Sequence, residues 1–89
     1  MSYIKDIIPD VTIAQTSIDL VSTYSKINGQ RIIIEVLSGN VWVKPGTTAV
    51  TAANGNKMVG VTSREFSVSN GLKIISDVTG AKIQIWILG

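Results

Sequence analysis

The chain has 89 residues, of which 45% are hydrophobic and 16% are charged, and its formal net charge is +2. It contains no cysteine and no histidine, which excludes a disulfide framework, a thiolate metal site and the commonest general base. Its basic residues are scattered along the chain, so no nucleic-acid interface is predicted. Because soluble domains carry about 25% charged residues, the low charge indicates a weakly polar surface of the kind that binds partners.

The length corresponds to one domain, and a single β domain is expected over residues 1–89. No apolar run reaches the about 20 residues that a membrane helix needs. The start of the chain lacks the long apolar core of a signal peptide. We therefore expect a protein that is made and kept in a cytosol and has no membrane partner.

The N-terminal segment, residues 1–16, permits two interpretations. Several isoleucines precede Pro9, which would end a helix, and residues 11–14 favour a strand. The segment is either a first strand docked on the sheet, which is favoured, or an arm that reaches a neighbouring subunit. The core of a β-sandwich is expected over residues 17–89.

The next segment, residues 17–27, carries conflicting signals. Its apolar residues lie three apart, as on one side of a helix. Serine and threonine are frequent between them, and both are poor helix formers. Asn28-Gly29 then signals a turn, so a strand is favoured before it.

An isoleucine-rich stretch followed by a turn predicts a hairpin over residues 30–44. Hydrophobic residues alternate along its first half, and Gly39-Asn40 supplies the turn. Antiparallel pairing about that turn opposes Glu35 with Lys44, which are oppositely charged. Charge and hydrophobic pattern therefore predict the same register.

The region between the predicted hairpins is less regular. Residues 47–57 are small and polar, which predicts a loop. A short strand is expected at residues 65–69. If it neighbours the strand that begins at Leu72, the core faces align only when Gly71 is left-handed in a bulged loop.

The end of the chain predicts a second hairpin, over residues 72–88. Isoleucines recur at every second position of its last strand, so they project from one face. Pairing about a turn at residues 78–81 opposes Asp77 with Lys82, another opposite-charge pair.

Short strands with turn signals about every 8–12 residues, and no long helix, predict an all-β fold. The expected architecture is a small antiparallel β-sandwich or barrel, jelly-roll-like, with an N-terminal arm. The sequence contains no fixed-period repeat.

The residues that could carry chemistry do not form a recognisable set. Asp77 and Glu35 have predicted lysine partners, so structural roles are favoured for both. Serine hydroxyls lack a histidine base, although a Ser–Lys arrangement stays open. Neither a calcium-binding loop nor a glycine-rich phosphate-binding motif occurs. We predict no catalytic, metal-binding or cofactor-binding residue and no enzymatic activity.

The hairpin faces turned away from the core are amphipathic rather than polar. Their hydrophobic members are the predicted interface residues: Ile33, Leu37, Trp42, Ile75, Trp86 and Leu88. Alternatively, the arm or loops cover both tryptophans within one molecule, because tryptophan is usually largely buried. A third interpretation is a sugar-stacking platform, which would make the protein a carbohydrate-binding β-sandwich module.

Residues 31–89 have a characteristic order of segments. An isoleucine-rich strand is followed by SGNVWVKPG (38–46), a linker rich in threonine and alanine, MVGV (58–61), REFSV (64–68) and IQIW (83–86). This layout resembles the small β-sandwich structural proteins of tailed bacteriophages, which decorate capsids or serve as accessory virion components. The resemblance implies a non-enzymatic virion protein that binds other virion subunits and itself. Because many such proteins are homo-oligomers, trimers among them, a homo-oligomer is expected.

Overall fold

The computed structural model describes residues 4–89, which form eight β-strands and two short helical turns. The strands are β1 (Ile4–Ile13), β2 (Ile18–Asp19), β3 (Arg31–Ser38), β4 (Val41–Pro45), β5 (Asn56–Met58), β6 (Ser63–Ser67), β7 (Leu72–Ser76) and β8 (Ala81–Leu88). The helical turns are α1 (Leu20–Thr23) and a 3₁₀ turn at Ser25–Ile27.

The strands form two antiparallel four-stranded sheets that pack face to face. Sheet A has the strand order β1-β8-β3-β6, and sheet B has the order β2-β7-β4-β5. Except for β4 and β5, strands consecutive in the chain lie in different sheets, which is the connectivity of a jelly roll. The predicted all-β sandwich is therefore confirmed.

Alternation along the strands gives each sheet a core face and an outer face. On β3 the inward side chains of Ile32, Ile34 and Val36 have 0% exposure, and on β8 Ile83 and Ile85 are equally buried. Burying each such side chain contributes about 1.5–3 kcal/mol to folding. The residues between them point away from the core and form the candidate surfaces of the protein.

The predicted hairpin over residues 30–44 is wrong, because its two strands lie in different sheets. β3 pairs with β6 and β8, whereas β4 pairs with β5 and β7. Glu35 consequently lies opposite Gln84 rather than Lys44. Gly39 is left-handed, with φ 78°, but it turns the chain from one sheet to the other. Because a glycine at positive φ suits either connection, the turn signal could not distinguish them.

The predicted hairpin over residues 72–88 is wrong for the same reason, since β7 belongs to sheet B and β8 to sheet A. Asp77 accepts a hydrogen bond from Nδ2 of Asn40 at 2.8 Å. Nζ of Lys82 lies 3.6 Å from Oδ1 of Asp10. Asp77 and Lys82 thus each interact with a different residue. Their opposite charges therefore do not indicate that β7 and β8 pair.

Strands β6 and β7 are not neighbours either, and the bulged loop expected between them does not form. The left-handed residue at this point is Asn70, with φ 65°, rather than Gly71. A glycine is needed at position 71 for a different reason. Any side chain there would place its Cβ against the carbonyl oxygen of Gly46.

The described part of the N-terminal segment forms β1, an edge strand of sheet A that pairs with β8. This strand docks on the sheet of its own chain, and residues 1–3 lie outside the described residues. The strand expected over residues 17–27 is wrong beyond β2. Asp19 ends β2 and begins α1, because its Oδ1 accepts a hydrogen bond from the N–H of Val21 at 3.0 Å.

Candidate interaction surfaces

The predicted interface residues fall on opposite surfaces of the sandwich. Ile33, Trp86 and Leu88 alternate with core residues on β3 and β8, so they lie on the outer face of sheet A. Trp42 and Ile75 are cross-strand neighbours on the outer face of sheet B. We name these two surfaces face A and face B.

Leu37 belongs to the end of β3, where the register with β8 shifts between Val36 and Ser38. Such a shift marks a β-bulge, which re-aims the side chains around it. Leu37 is 43% exposed. It therefore stands in solvent at the margin of sheet A.

Face A comprises Ile4, Ile7, Arg31, Ile33, Glu35, Glu65, Lys82, Gln84, Trp86 and Leu88. Trp86 lies opposite Ile7 on β1 and opposite Ile33 on β3, so an apolar row crosses three strands. Ile7 is 37% exposed and Ile4, on the same strand, is 57% exposed. Leu88 is buried at the end of the face, opposite Ile4. Among the hydrogen bonds of residues 4–89, none brings a loop across this row.

Glu35 holds the tryptophan of face A. Its Oε1 accepts hydrogen bonds from Nε1 of Trp86, at 3.4 Å, and from Nε2 of Gln84. All three side chains are half-buried. The polar edge of the indole is thus satisfied within the chain, and its apolar ring remains available for contact with a partner.

An ion pair borders the apolar row on the β6 side. Nε of Arg31 donates to Oε2 of Glu65 at 2.9 Å, and Glu65 lies opposite Ile33. The hydrogen bond to Glu65 and the charge of its carboxylate raise the pKa of Arg31 above its ordinary value. Because both side chains are about half exposed, the pair adds little stability, but it fixes where these charges lie.

The free edge of β1 is closed to the addition of another strand. The N–H of Ile7 donates to Oδ1 of Asp6 at 2.8 Å, and Nζ of Lys26 lies 2.8 Å from Oδ2 of the same carboxylate. The hydrogen bonds from Lys26 and from Ile7 hold the pKa of Asp6 below its usual value. Pro9 has no N–H to donate, and Asp10 is left-handed, with φ 59°. A partner would therefore use the face of this sheet rather than its edge.

Face B comprises Asp19, Trp42, Lys44, Lys57, Lys73 and Ile75. A loop, residues 46–55, folds back over it. The N–H of Val50 donates to Oγ of Ser17, beside β2, at 3.2 Å. A Cβ on Gly55 would lie only 2.8 Å from Cβ of Trp42 and 2.6 Å from Cγ2 of Val50. Val50 is 1% exposed although it lies outside the main core, so the loop packs on face B beside Trp42, which is half-buried.

Lysines dominate the charge of face B. Lys44 lies opposite Lys73, and Nζ of Lys73 is 3.6 Å from Oδ2 of Asp19. Nζ of Lys57 lies 5.7 Å from the ring centroid of Trp42, which is within cation–π range. Face B therefore carries three cations and one carboxylate.

Asp19 connects three elements beside face B. Its Oδ1 accepts from the N–H of Val21 at 3.0 Å and of Leu72 at 3.2 Å, and its Oδ2 accepts from Oγ of Ser22 at 3.3 Å. Burial acts to raise the pKa of Asp19, but the hydrogen bonds from Leu72 and Val21 and the charge of Lys73 outweigh it, so the pKa is lowered. This carboxylate therefore links β2, α1 and β7.

A shallow hollow of about 320 Å³ lies beside β5 and β6. It is lined by Lys57, Met58, Val59, Thr62, Ser63 and Arg64. Over residues 4–89, no group of three or more acidic, histidine or cysteine side chains is placed to hold a metal ion. None of the helices in the described part of the chain could span a bilayer.

Sequence reasoning missed two hydrophobic residues of face A, Ile4 and Ile7. They lie three positions apart, which does not suggest a shared face of a strand. The register of β1 shifts between Ile4 and Asp6, and this irregularity turns both isoleucines outward. The repeated isoleucines were a signal of hydrophobic surface, but only the strand pairing shows which face they join.

Comparison of the chain with protein-family models, with curated proteins and with solved structures gave no match. A functional interpretation therefore depends on the properties of the two faces and on the layout of residues 31–89.

Proposed function

We propose that the protein is a non-enzymatic structural component of a bacteriophage virion, a capsid-decorating or other accessory subunit. It acts by binding other virion subunits and by self-association into a homo-oligomer. The resemblance of residues 31–89 to small virion β-sandwich proteins suggests this role, and the surface of the sandwich supports it.

The apolar row of face A is the observation that carries the proposal. Single exposed hydrophobic residues are normal on a small protein. A continuous row across three strands, with Trp86 at its centre between Ile7 and Ile33, is instead typical of a binding surface. Tryptophan is also a frequent anchor of protein interfaces. The row therefore fits a protein whose task is contact rather than chemistry.

The jelly-roll connectivity agrees with a virion role, because domains of this kind build many viral capsids. The same connectivity occurs in lectins and cupins, and a fold does not determine a function. The fold therefore supports the proposal only together with face A.

A carbohydrate-binding platform finds less support in the arrangement of the aromatic rings. Trp42 lies on face B beneath the 46–55 loop and Trp86 lies on face A. The two indoles consequently cannot stack on one sugar chain.

The proposal is tested with the phage whose genome encodes the chain. Particles grown without the coding sequence should lack the protein, and purified protein added back should bind them to saturation. Binding is measured by cosedimentation and quantitative mass spectrometry. Trp86→Ala should bind more weakly, whereas Val78→Ala, at a residue 46% exposed between β7 and β8, should bind like the original protein.

Two results would contradict this function. One is a coding sequence that lies outside any phage genome. The other is purified virions that contain none of the protein and do not bind it when it is added.

A further inference from the structure

We propose that face A binds face A of a second copy of this chain, around a two-fold axis along the row formed by Ile7, Trp86 and Ile33. This axis crosses the strands, so β3 of one copy runs antiparallel to β3 of the other. The inference rests on the proposed function, because it specifies the surface and symmetry of the self-association proposed there.

The charges on the outer side of β3 are self-complementary. Arg31, Ile33 and Glu35 alternate with core residues and share face A, each about 6–7 Å from the next. A positive charge therefore lies on one side of Ile33 and a negative charge on the other. Rotation about an axis through Ile33 brings Arg31 of each copy over Glu35 of its partner, so two ion pairs form in one dimer.

Both charged groups have bonding capacity for this contact. Among the hydrogen bonds of residues 4–89, Glu35 accepts through Oε1 and Arg31 donates through Nε. Oε2 of Glu35 and the terminal nitrogens of Arg31 can therefore join the two copies. Packed sheets lie about 10 Å apart, a gap that an arginine and a glutamate span together.

The centre of the proposed contact is apolar. Ile7, Trp86 and Ile33 lie on the axis, so each meets its own copy and is removed from water. Glu65 continues this row at its rim and also faces its copy, but its ion pair with Arg31 at 2.9 Å offsets the repulsion. An apolar centre with charged groups around it is the usual anatomy of a protein interface.

The other surfaces suit a second copy less well. Face B carries Lys44, Lys57 and Lys73, so two copies joined through it would bring like charges together. The 46–55 loop also packs on this face, beside Trp42. The free edge of β1 is closed at Ile7 and Pro9. Face A is thus the surface on which a second copy is complementary in both charge and polarity.

Charge reversal tests the predicted pairing. Sedimentation equilibrium of the unmodified protein should show a monomer–dimer equilibrium. Arg31→Glu and Glu35→Arg, each alone, place like charges opposite each other twice per dimer, so each should raise the dimer dissociation constant by about 100-fold. Circular dichroism and thermal unfolding confirm that both variants remain folded.

Mixing the two variants separates the contact between copies from changes within a copy. Arg31→Glu also meets Glu65 of its own chain, and Glu35→Arg also loses the bonds to Trp86 and Gln84. These defects persist in the mixture. A heterodimer of the two variants, however, restores both opposite-charge pairs, so the mixture should dimerise at concentrations at which neither variant dimerises alone.

A cysteine placed on the axis provides an independent test, since the chain contains no cysteine of its own. Ile33→Cys should form a disulfide-linked dimer under mild oxidation, because position 33 faces itself across the axis. Val61→Cys, at a residue that is 85% exposed, is the control and should cross-link far more slowly. Equal cross-linking at both positions would overturn the proposal.

The outcomes distinguish this inference from the proposed function. A monomer at every accessible concentration, a trimer, or a mixture that fails to dimerise would each overturn the two-fold contact. If such a protein still binds its virions to saturation, the virion role stands and face A contacts another virion subunit. If the dimer forms and the virion does not contain the protein, only the proposed function fails.

Discussion

Trp42 and Trp86 occupy comparable places on the two outer surfaces of the sandwich. Each is flanked by an isoleucine on a neighbouring strand, Ile75 for Trp42 and Ile33 for Trp86. Their surroundings differ, because the 46–55 loop packs on face B beside Trp42, whereas Trp86 donates a hydrogen bond to Glu35 of its own sheet. A tryptophan in a strand is therefore not by itself a sign of an interface.

The two faces also differ in how their charged residues are distributed. Face B concentrates lysines around its tryptophan, and the only carboxylate of that face is already bound to Lys73. Face A alternates positive and negative charges around its apolar row, from Arg31 to Glu35. A covered, positive surface and an open, self-complementary one should respond differently to substitution.

Replacing each tryptophan with alanine should show the largest difference. Trp42→Ala removes a half-buried ring beside the 46–55 loop, so the free energy of unfolding should fall by about 3 kcal/mol. Trp86 is half-buried like Trp42, but no loop of residues 4–89 depends on its ring, so Trp86→Ala should cost the monomer less, about 1 kcal/mol. Urea unfolding of dilute protein measures both losses. Equal losses would mean that the two faces do not differ in coverage.

Gly55→Ala should uncover face B without touching face A. The new methyl group would overlap with Val50 and with Trp42, so the loop must move outward at a cost of about 2 kcal/mol. In a Trp86→Phe background, acrylamide quenching of Trp42 fluorescence should increase.

Gly60→Ala is the matched control for this substitution. Its Cβ would lie 3.4 Å from the nearest atom, the carbonyl oxygen of Gly39, which is an acceptable contact. Quenching of Trp42 should stay unchanged in this variant. If Gly55→Ala behaves in the same way, the loop does not cover the tryptophan.

The sequence was sufficient to assign side chains to faces but not strands to partners. The alternation on β3 and β8 correctly placed Ile32, Ile34, Ile83 and Ile85 in the core, because burial follows the pleat of a strand. Both predicted hairpins failed, since the alternation is the same whichever strand lies alongside. Neighbours in sequence often pair, and a jelly roll is an exception to that tendency.

The candidate surfaces also could be predicted only in part, because alternation does not show which strands are neighbours. Ile33 and Trp86 were assigned to outward faces and lie together on face A, but Trp42 was grouped with Ile33 because they were placed in one hairpin. The coverage of Trp42 depends on a loop whose contact with Ser17 is distant in sequence. No local pattern reports such a contact.

Asp19→Asn should destabilise β2, the edge strand of sheet B that carries this residue. An asparagine can still cap α1, but it loses the ion pair with Lys73 and the charge that strengthens the hydrogen bonds from Val21 and Leu72, so the substitution should cost about 1 kcal/mol at neutral pH. Chemical unfolding measures the loss. Face A does not involve Asp19, so dimerisation should be unchanged.

The pH dependence of that loss follows from the lowered pKa of Asp19. A carboxylate with a folded-state pKa below its ordinary value of 3.8 stabilises the protein above that value and loses this contribution as the pH falls through the folded-state pKa. The stability difference between the original protein and Asp19→Asn should therefore be constant near neutrality and shrink below about pH 4. A difference that grows in acid would contradict the assignment.

Lys57→Gln should have the smallest effect of these substitutions. It removes the cation above the ring of Trp42, 5.7 Å from its centroid, and should cost about 0.5 kcal/mol of stability. It also relieves repulsion among the lysines of face B, which acts in the opposite direction. Lys44→Gln relieves that repulsion alone, so the difference between the two variants reports the contact with the ring together with the attraction between Lys57 and the carboxylate of Asp77. Because salt screens the repulsion between exposed charges, repeating the pair at high ionic strength should leave a loss for Lys57→Gln and almost none for Lys44→Gln. Identical behaviour of the two variants would mean that Trp42 is held by the loop without help from the cation.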